Sequence, residues 1–150
     1  MRICLIGSGL TSLALAKALV NQNIHVDILR DKKKQIIDQS RTIGITKSNV
    51  EYFNNNIVNI DKIIWKLNKI EIFSDKLKNQ TLMDFKKSQK YIFSIIKNYE
   101  FYQKLEFHLS KNKNFKLKYF NGKNLSLINN YELVINCDSS NIIAKKYFNK

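Results

Sequence analysis

The spacing of apolar positions changes twice within the first thirty residues, and each change predicts a different element. Arg2-Ile3-Cys4-Leu5-Ile6 is a short apolar run that ends at Gly7-Ser8-Gly9. It is too short for a helix and predicts a strand buried on both faces, as in a parallel sheet. From Leu10 to Val20 the chain is rich in Ala and Leu and apolar on nearly every side, which predicts a helix packed on that sheet. Asn21-Gln22-Asn23 ends it, and Ile24 to Leu29 alternates apolar with polar residues as a second strand. The chain therefore opens with strand, glycine turn, helix, strand.

Farther along, Asp31 to Ser40 is polar and basic and reads as loop. Arg41 to Ile45 leads to a helix whose start is marked by the capping-box spacing Ser48-Asn49-Val50-Glu51 and which runs to about Asn55. Three strand-like pieces follow, Ile70 to Ser74, Thr81 to Phe85 and Tyr91 to Ile96, and predict an antiparallel insertion within 67–97. Helical spacing resumes from Tyr99 to Ser110 through Phe101, Leu105 and Leu109. Phe115 to Phe120 alternates like a strand, Asn121-Gly122 marks a turn, and Leu125 to Ile128 predicts the returning strand. Glu132 to Asn136 is a last apolar strand, closing on Cys137-Asp138-Ser139. With no internal repeat and no flexible linker, residues 1–150 read as a single α/β domain.

A helix that starts just after a glycine turn aims unpaired N–H groups and the positive end of its dipole beyond the strand, where a pyrophosphate fits. Gly7 permits the tight turn, and Gly9 lets the backbone approach phosphates with no Cβ in the way. Ser12 stands at the third position of the GxGxxG pattern, where Gly or Ala usually allows helix and strand to pack closely.

Composition narrows the classes. The 44% apolar share supports one core, and the absence of Gly, Cys and Pro bias excludes collagen-like, disulfide-scaffold and low-complexity chains. The formal charge of +14 raises nucleic-acid or anionic-membrane binding. Only Arg2, Arg30 and Arg41 of the 26 basic residues are arginines, and beside the abundant Ile and Asn the lysines point to an A/T-rich coding bias. They are scattered, with one run at Lys32-Lys33-Lys34, so a solvated basic surface and no nucleic-acid partner are expected. No leader pattern or long apolar span is present, which predicts a cytoplasmic protein. Cys4 and Cys137 form no CxxC pair and read as buried free thiols. His25 and His108 have no motif partner, so no catalytic residue and no metal ligand is nominated.

Four segments in order resemble one family: Gly7 to Leu19, Arg41 to Thr46, Lys69 to Asp75, and Leu133 to Asn141. They are similar to the phosphate loop, the arginine-bearing loop along the cofactor, an early substrate-side strand and the Asp-Gly motif of FAD-dependent aromatic monooxygenases. Within that family they resemble the ubiquinone-biosynthesis hydroxylases of polyprenylated phenols. The resemblance implies a Rossmann-like FAD-binding domain with a parallel sheet and a partial antiparallel β insertion on the substrate side. It implies FAD as cofactor and NAD(P)H as electron donor, with peripheral association at the inner face of the membrane. Reduced flavin there activates oxygen and hydroxylates an electron-rich ring, while the protein binds, orients and excludes water.

Carried over residue by residue, Gly7, Ser8, Gly9, Leu10 and Thr11 would line the FAD pyrophosphate, and Arg41 would add a charge-assisted contact. Asn98 would touch the flavin side, and Asp138 would help position cofactor and nicotinamide; on a plainer reading Asp138 only caps a terminal helix. Departures are equally visible. The family ends its second strand in an acidic residue that holds the adenosine ribose, whereas this chain has Arg30, a cation that cannot accept those bonds, followed by Asp31. Asp31 would substitute only after a local shift. Asn136 and Ser139 replace glycines, Tyr99 stands where Arg is common, and the family's later Gly-Asp segment is missing. These features predict the FAD-binding portion of such a hydroxylase, a fragment or a split or degenerate product, completed by a partner chain if at all. The competing class is a non-catalytic Rossmann-like NAD(P) or nucleotide module, in which Arg30 meets a 2′-phosphate. A basic nucleic-acid or membrane-surface protein is the third.

Overall fold

The computed structural model describes residues 1–31, 38–73, 81–86, 93–120, 125–141 and 143–145. In chain order the elements are β1 (Arg2–Ile6), α1 (Leu10–Asn21), β2 (His25–Asp31), β3 (Thr42–Thr46), α2 (Lys47–Asn56), β4 (Ile64–Leu67) and β5 (Lys69–Phe73). They continue with β6 (Thr81–Lys86), β7 (Phe93–Lys97), α3 (Asn98–Ser110), β8 (Phe115–Phe120) and β9 (Leu133–Asn136). Short 3₁₀ segments lie at Asp61–Ile63 and Leu125–Asn130.

The main sheet has the order β8-β2-β1-β9, with every pairing parallel. β1 is interior, which explains its unbroken apolar run. Ile3 and Leu5 join the core shared with α1 and α3, while Cys4 and Ile6 pack on the opposite face with Leu29 and Ile143. α1 turns Leu13, Ala16 and Val20 inward at helical spacing. It ends as Asn23 takes a φ of 59°, with Asn23 N–H donating to Val20 O (3.1 Å) and Ile24 N–H to Leu19 O (3.2 Å). This is a Schellman stop with asparagine in place of glycine. A three-stranded antiparallel sheet, β3-β7-β4, and an antiparallel pair, β5-β6, complete the α/β architecture predicted from the sequence.

Several local expectations are corrected. Arg41 to Ile45 is largely a strand rather than a lead-in, so the cap of α2 falls two residues earlier than Ser48. Thr46, still extended at ψ 157°, accepts from Asn49 N–H at 3.3 Å, and Ser48 lies inside the helix. Leu125 to Ile128 is not a returning strand. β8 runs parallel to β2, and the 3₁₀ segment carries Ile128 and Tyr131 onto the second face of the main sheet. The Asn121-Gly122 turn and the Lys32-Lys33-Lys34 run lie outside the described residues. β7 pairs with β3 and with the unpredicted β4, leaving β5 and β6 as the hairpin-like part of the insertion.

Among the described residues, Asp27 is a buried charge within the main sheet. Asp27 is 3% exposed, and its Oδ2 accepts from Arg2 Nη2 at 2.8 Å, Lys118 Nζ at 2.7 Å and Tyr131 Oη at 2.6 Å. Burial pushes its carboxyl up, but the Lys118, Tyr131 and Arg2 hydrogen bonds and the Lys118 charge outweigh that and hold it below its usual value. The network joins β1, β2, β8 and the segment before β9. A depressed folded value stabilises above the ordinary carboxylate range and is lost as pH falls through the lower folded value. Asp27→Asn should therefore lose about 1–2 kcal/mol at neutral pH, with a shallower decline below about pH 4 than wild type. Urea unfolding across pH checks this, and parallel acid limbs would contradict it.

Candidate functional site

β1 is flanked by β2 on one side and β9 on the other. In an open parallel sheet, a ligand crevice forms beyond the carboxyl ends of strands where the chain departs in opposite directions. The turn after β1 and the turn after β9 meet at that end. Gly7 N–H donates to Leu29 O (3.0 Å) and Cys137 N–H to Ile6 O (2.8 Å), so the ladder extends past the strand ends before the chain turns.

Gly7 has a φ of +111°, a conformation that side-chain-bearing residues rarely adopt. A Cβ there would lie 3.0 Å from the Asp138 Cβ and 3.4 Å from the Cys137 carbonyl carbon. The bare backbone of Gly7 is what lets the two turns close on each other, and it brings Gly7 and Asp138 into contact. Gly9 is different. It is the N-cap of α1 at an ordinary φ of −75°, and a Cβ built on it would meet nothing within 4 Å. This N-cap residue has no side chain with which to cap α1, and no acidic residue stands in the first turn. The opening of the helix thus carries no cap and no acidic charge of its own, there is free space at Gly9, and a diphosphate fits that arrangement. Leu10 is half-buried and Thr11 exposed beside it.

Ser12 is fully buried, with its Oγ 3.4 Å from where a Gly7 Cβ would be and without a hydrogen-bond partner. The strand and helix thus accommodate the extra atom at the third motif position at ordinary contact distance from the first.

From Ser8 a cleft of about 1010 Å³ runs between α3 and the β2-β8 edge, lined also by Leu13, Arg30, Tyr102, Glu106 and Leu117. The Arg30 guanidinium, 17% exposed, lies 3.5 Å from Glu106 Oε1. Tyr102 sits one helical turn before Glu106, buried, with its hydroxyl unpartnered; burial and the Glu106 charge raise its pKa, opposed by Arg30. The β2-β8 ladder continues without a bulge through Arg30-Tyr119 and Asp31-Phe120. No register shift brings Asp31 into the place of Arg30.

Arg41 and Asn98 are neighbours: Asn98 N–H donates to Arg41 O at 2.9 Å where α3 begins, and the Arg41 side chain is exposed. Asn98 Oδ1 is buried without a partner. Asp138 Oδ1 accepts from Ser140 N–H (2.8 Å) and Ser140 Oγ (2.7 Å). It closes its own turn rather than capping a helix. The cap is Asn141, whose Oδ1 accepts from Ala144 N–H at 2.8 Å. Asn136 and Ser139 do not occupy left-handed backbone; among the described residues other than glycine only Asn23 has positive φ. Cys4 is buried and Cys137 half-buried, neither in a disulfide. His25 and His108 are both exposed, and among the described residues no three His, Cys, Asp or Glu gather as a metal set. Glu106 and Tyr102 are the site residues that sequence reading missed; nothing local distinguishes them from other polar positions on an amphipathic helix.

An interior first strand, a glycine turn leading into a helix and a cleft that runs from that turn along the β2-β8 edge together give the Rossmann-type arrangement of a parallel α/β sheet. Solved structures that share the fold include FAD-dependent aromatic hydroxylases and monooxygenases. p-Nitrophenol 4-monooxygenase from Pseudomonas putida superposes with a TM-score of 0.64 at 10% identity, over 78% of this chain and 31% of that one. PqsL from Pseudomonas aeruginosa, described as a probable FAD-dependent monooxygenase, gives 0.62 at 11% identity over 79% and 32%. HpxO from Klebsiella pneumoniae, solved with FAD and uric acid, gives 0.57 at 13% identity over 78% and 30%. At these identities the likeness is one of fold, and the chain spans about a third of the length of each structure. No protein-family model and no curated protein matches the chain.

Two substitutions separate the roles of the turn. Gly7→Ala should cost about 2–3 kcal/mol, from left-handed strain and the contact with Asp138. Ser12→Ala removes an unsatisfied buried hydroxyl and should stabilise by about 1 kcal/mol, or roughly 2–4 °C in Tm. Thermal unfolding of the two variants should thus shift in opposite directions, and a destabilised Ser12→Ala would show that its hydroxyl is satisfied in solution.

Proposed function

We propose that this chain binds FAD and forms the cofactor-binding portion of a flavin-dependent aromatic hydroxylase. The observation that carries the reading is the start of α1: an uncapped helix opening beside Gly9, with free space above it, at the switch point of a parallel sheet. Amides of Gly9, Leu10 and Thr11 hold the diphosphate, and the Gly7-Asp138 contact fixes where that helix begins. Arg41 contributes charge to the far end of the cofactor, and Asn98, at the head of α3, faces the flavin side. When bound, FAD supplies oxygen activation and transfer to an electron-rich ring, with NAD(P)H as electron donor.

The substrate class is an aromatic, and the order of the resembling segments favours a polyprenylated phenol of ubiquinone biosynthesis. Strands β5 and β6 lie on the substrate side of this reading. A lipophilic substrate places the work at the inner face of the membrane; among the described residues no helix is long and apolar enough to cross it. Hydroxylation requires the remainder of the fold, from further chain or from a partner chain. The second reading, a non-catalytic NAD(P)-binding module, is favoured by Arg30 near the end of β2.

Gly9→Asp tests the reading with two readouts of opposite sign. At a φ of −75° any residue fits, and an aspartate N-cap satisfies the first-turn amides with its own carboxylate. Apo protein should gain about 0.5–1 kcal/mol, while FAD binding, followed by flavin fluorescence and absorbance near ~450 nm, should fall by at least about tenfold. Wild-type protein that ignores added FAD would overturn the assignment. NADPH binding that is lost selectively in Arg30→Glu would favour the second reading.

A further inference from the structure

The second strand of a Rossmann-type nucleotide site usually ends in an acidic residue that accepts hydrogen bonds from the ribose hydroxyls. Here Arg30 stands in the place the resemblance gives to that acid, one residue before Asp31 closes the strand without a register shift, and a guanidinium only donates. We propose that the ribose-binding carboxylate has moved from β2 to α3, where Glu106 accepts the ribose hydroxyls and Arg30 holds it in position; this rests on the nucleotide reading of the α1 turn.

Three observations support the assignment. Arg30 and Glu106 approach to 3.5 Å, so a carboxylate from α3 stands beside the Arg30 guanidinium. Of the two, Glu106 is the more open side chain at 44% exposure against 17% for Arg30, which leaves the carboxylate as the partner a ligand can reach. Both line the cleft that begins at Ser8 of the glycine turn, so a diphosphate at α1 and a ribose in front of Glu106 occupy one continuous space. A volume of about 1010 Å³ admits a nucleoside. Tyr102, one turn earlier on α3 and buried with its hydroxyl unpartnered, stands beside the same pair.

The arrangement has a specificity consequence. Because the Arg30 guanidinium is turned toward Glu106, a phosphate on the ribose would have to compete with that carboxylate and would be repelled by it. The site should prefer free ribose hydroxyls over a 2′-phosphate.

Calorimetric titration of the whole chain with ADP, 2′,3′-dideoxyadenosine 5′-diphosphate and adenosine 2′,5′-bisphosphate tests this. Wild type should bind ADP at least about tenfold more tightly than the dideoxy analogue, as expected for hydrogen bonds to a charged acceptor. Glu106→Ala should reduce that preference to about threefold or less while leaving dideoxy binding nearly unchanged. Glu106→Gln, which keeps the length of the side chain, should lie between them. Equal binding of ADP and the dideoxy analogue by wild type would overturn the ribose role of Glu106 and leave the diphosphate reading standing. Tighter binding of the bisphosphate than of ADP would overturn it in favour of Arg30 as a phosphate ligand. Failure of all three nucleotides to bind would overturn the nucleotide reading itself.

Discussion

The arrangement depends on one position of the first turn at which no side chain can stand. At Gly7 the backbone takes a φ of +111° while the end of β9 passes so close that a Cβ would lie 3.0 Å from that of Asp138. Two requirements, one conformational and one steric, fall on the same residue. Because they are met, β1 can remain paired with both β2 and β9 up to its last residue and still deliver the chain into α1 one turn later. The helix start is thereby fixed at the crevice between two diverging connections, where its dipole meets no competing charge from its own sequence. Gly9 then matters for the opposite reason: its conformation is ordinary, and only the space left by its missing side chain is of use.

The charges divide into a satisfied group and an unsatisfied one. Within the main sheet, Asp27 gathers Arg2, Lys118 and Tyr131 around a single carboxylate oxygen and ties strands distant in sequence. Burial, with the Asp27 charge adding to it, pushes the Cys4 thiol up to about 12, so this cysteine packs and does not react. At the carboxyl end of the sheet nothing in the first turn of α1 neutralises the helix start. A chain with 26 basic and 12 acidic residues has cations to spare, yet the site is built from backbone amides, and Arg30 spends its charge on Glu106.

What the sequence made legible is what local periodicity can encode. β1, α1 and β2 are read correctly because a run apolar on both faces, an Ala-rich helix and an alternating strand have different periods, and a glycine pair marks the turn. α3 and β9 are read for the same reasons. The errors lie where pairing is remote or competition is local. The β8 strand shows its alternation plainly, but its partner β2 lies some ninety positions earlier, and an adjacent Asn-Gly favoured a hairpin instead. β4 has only four residues, too few for a pattern. At α2 both Ser48 and Thr46 could cap; β3 running directly into the helix decided for Thr46. In the site, Gly7 and Gly9 were visible as residue types, whereas Glu106 became visible only when α3 was packed beside β2.

The departures from the usual nucleotide-binding pattern are compensated by near neighbours, and this explains how a shared fold persists at 10–13% identity. Ser12 adds an oxygen where helix and strand pack closely, and it is held at ordinary contact distance from the Gly7 position. Asn136 and Ser139 stand where glycines are usual, and both keep ordinary backbone because the close approach has been concentrated at Gly7. Arg30 puts a cation where the resemblance expects an acid, and Glu106 brings a carboxylate to it from the adjacent helix. In each case the backbone path is kept and the side-chain chemistry is redistributed around it. A constraint on φ and on interatomic distance leaves a single residue type; a requirement for a carboxylate near a ribose can be met from any element that reaches the cleft. The steric part of the site is therefore the part that a sequence must keep in place, and the polar part is free to move.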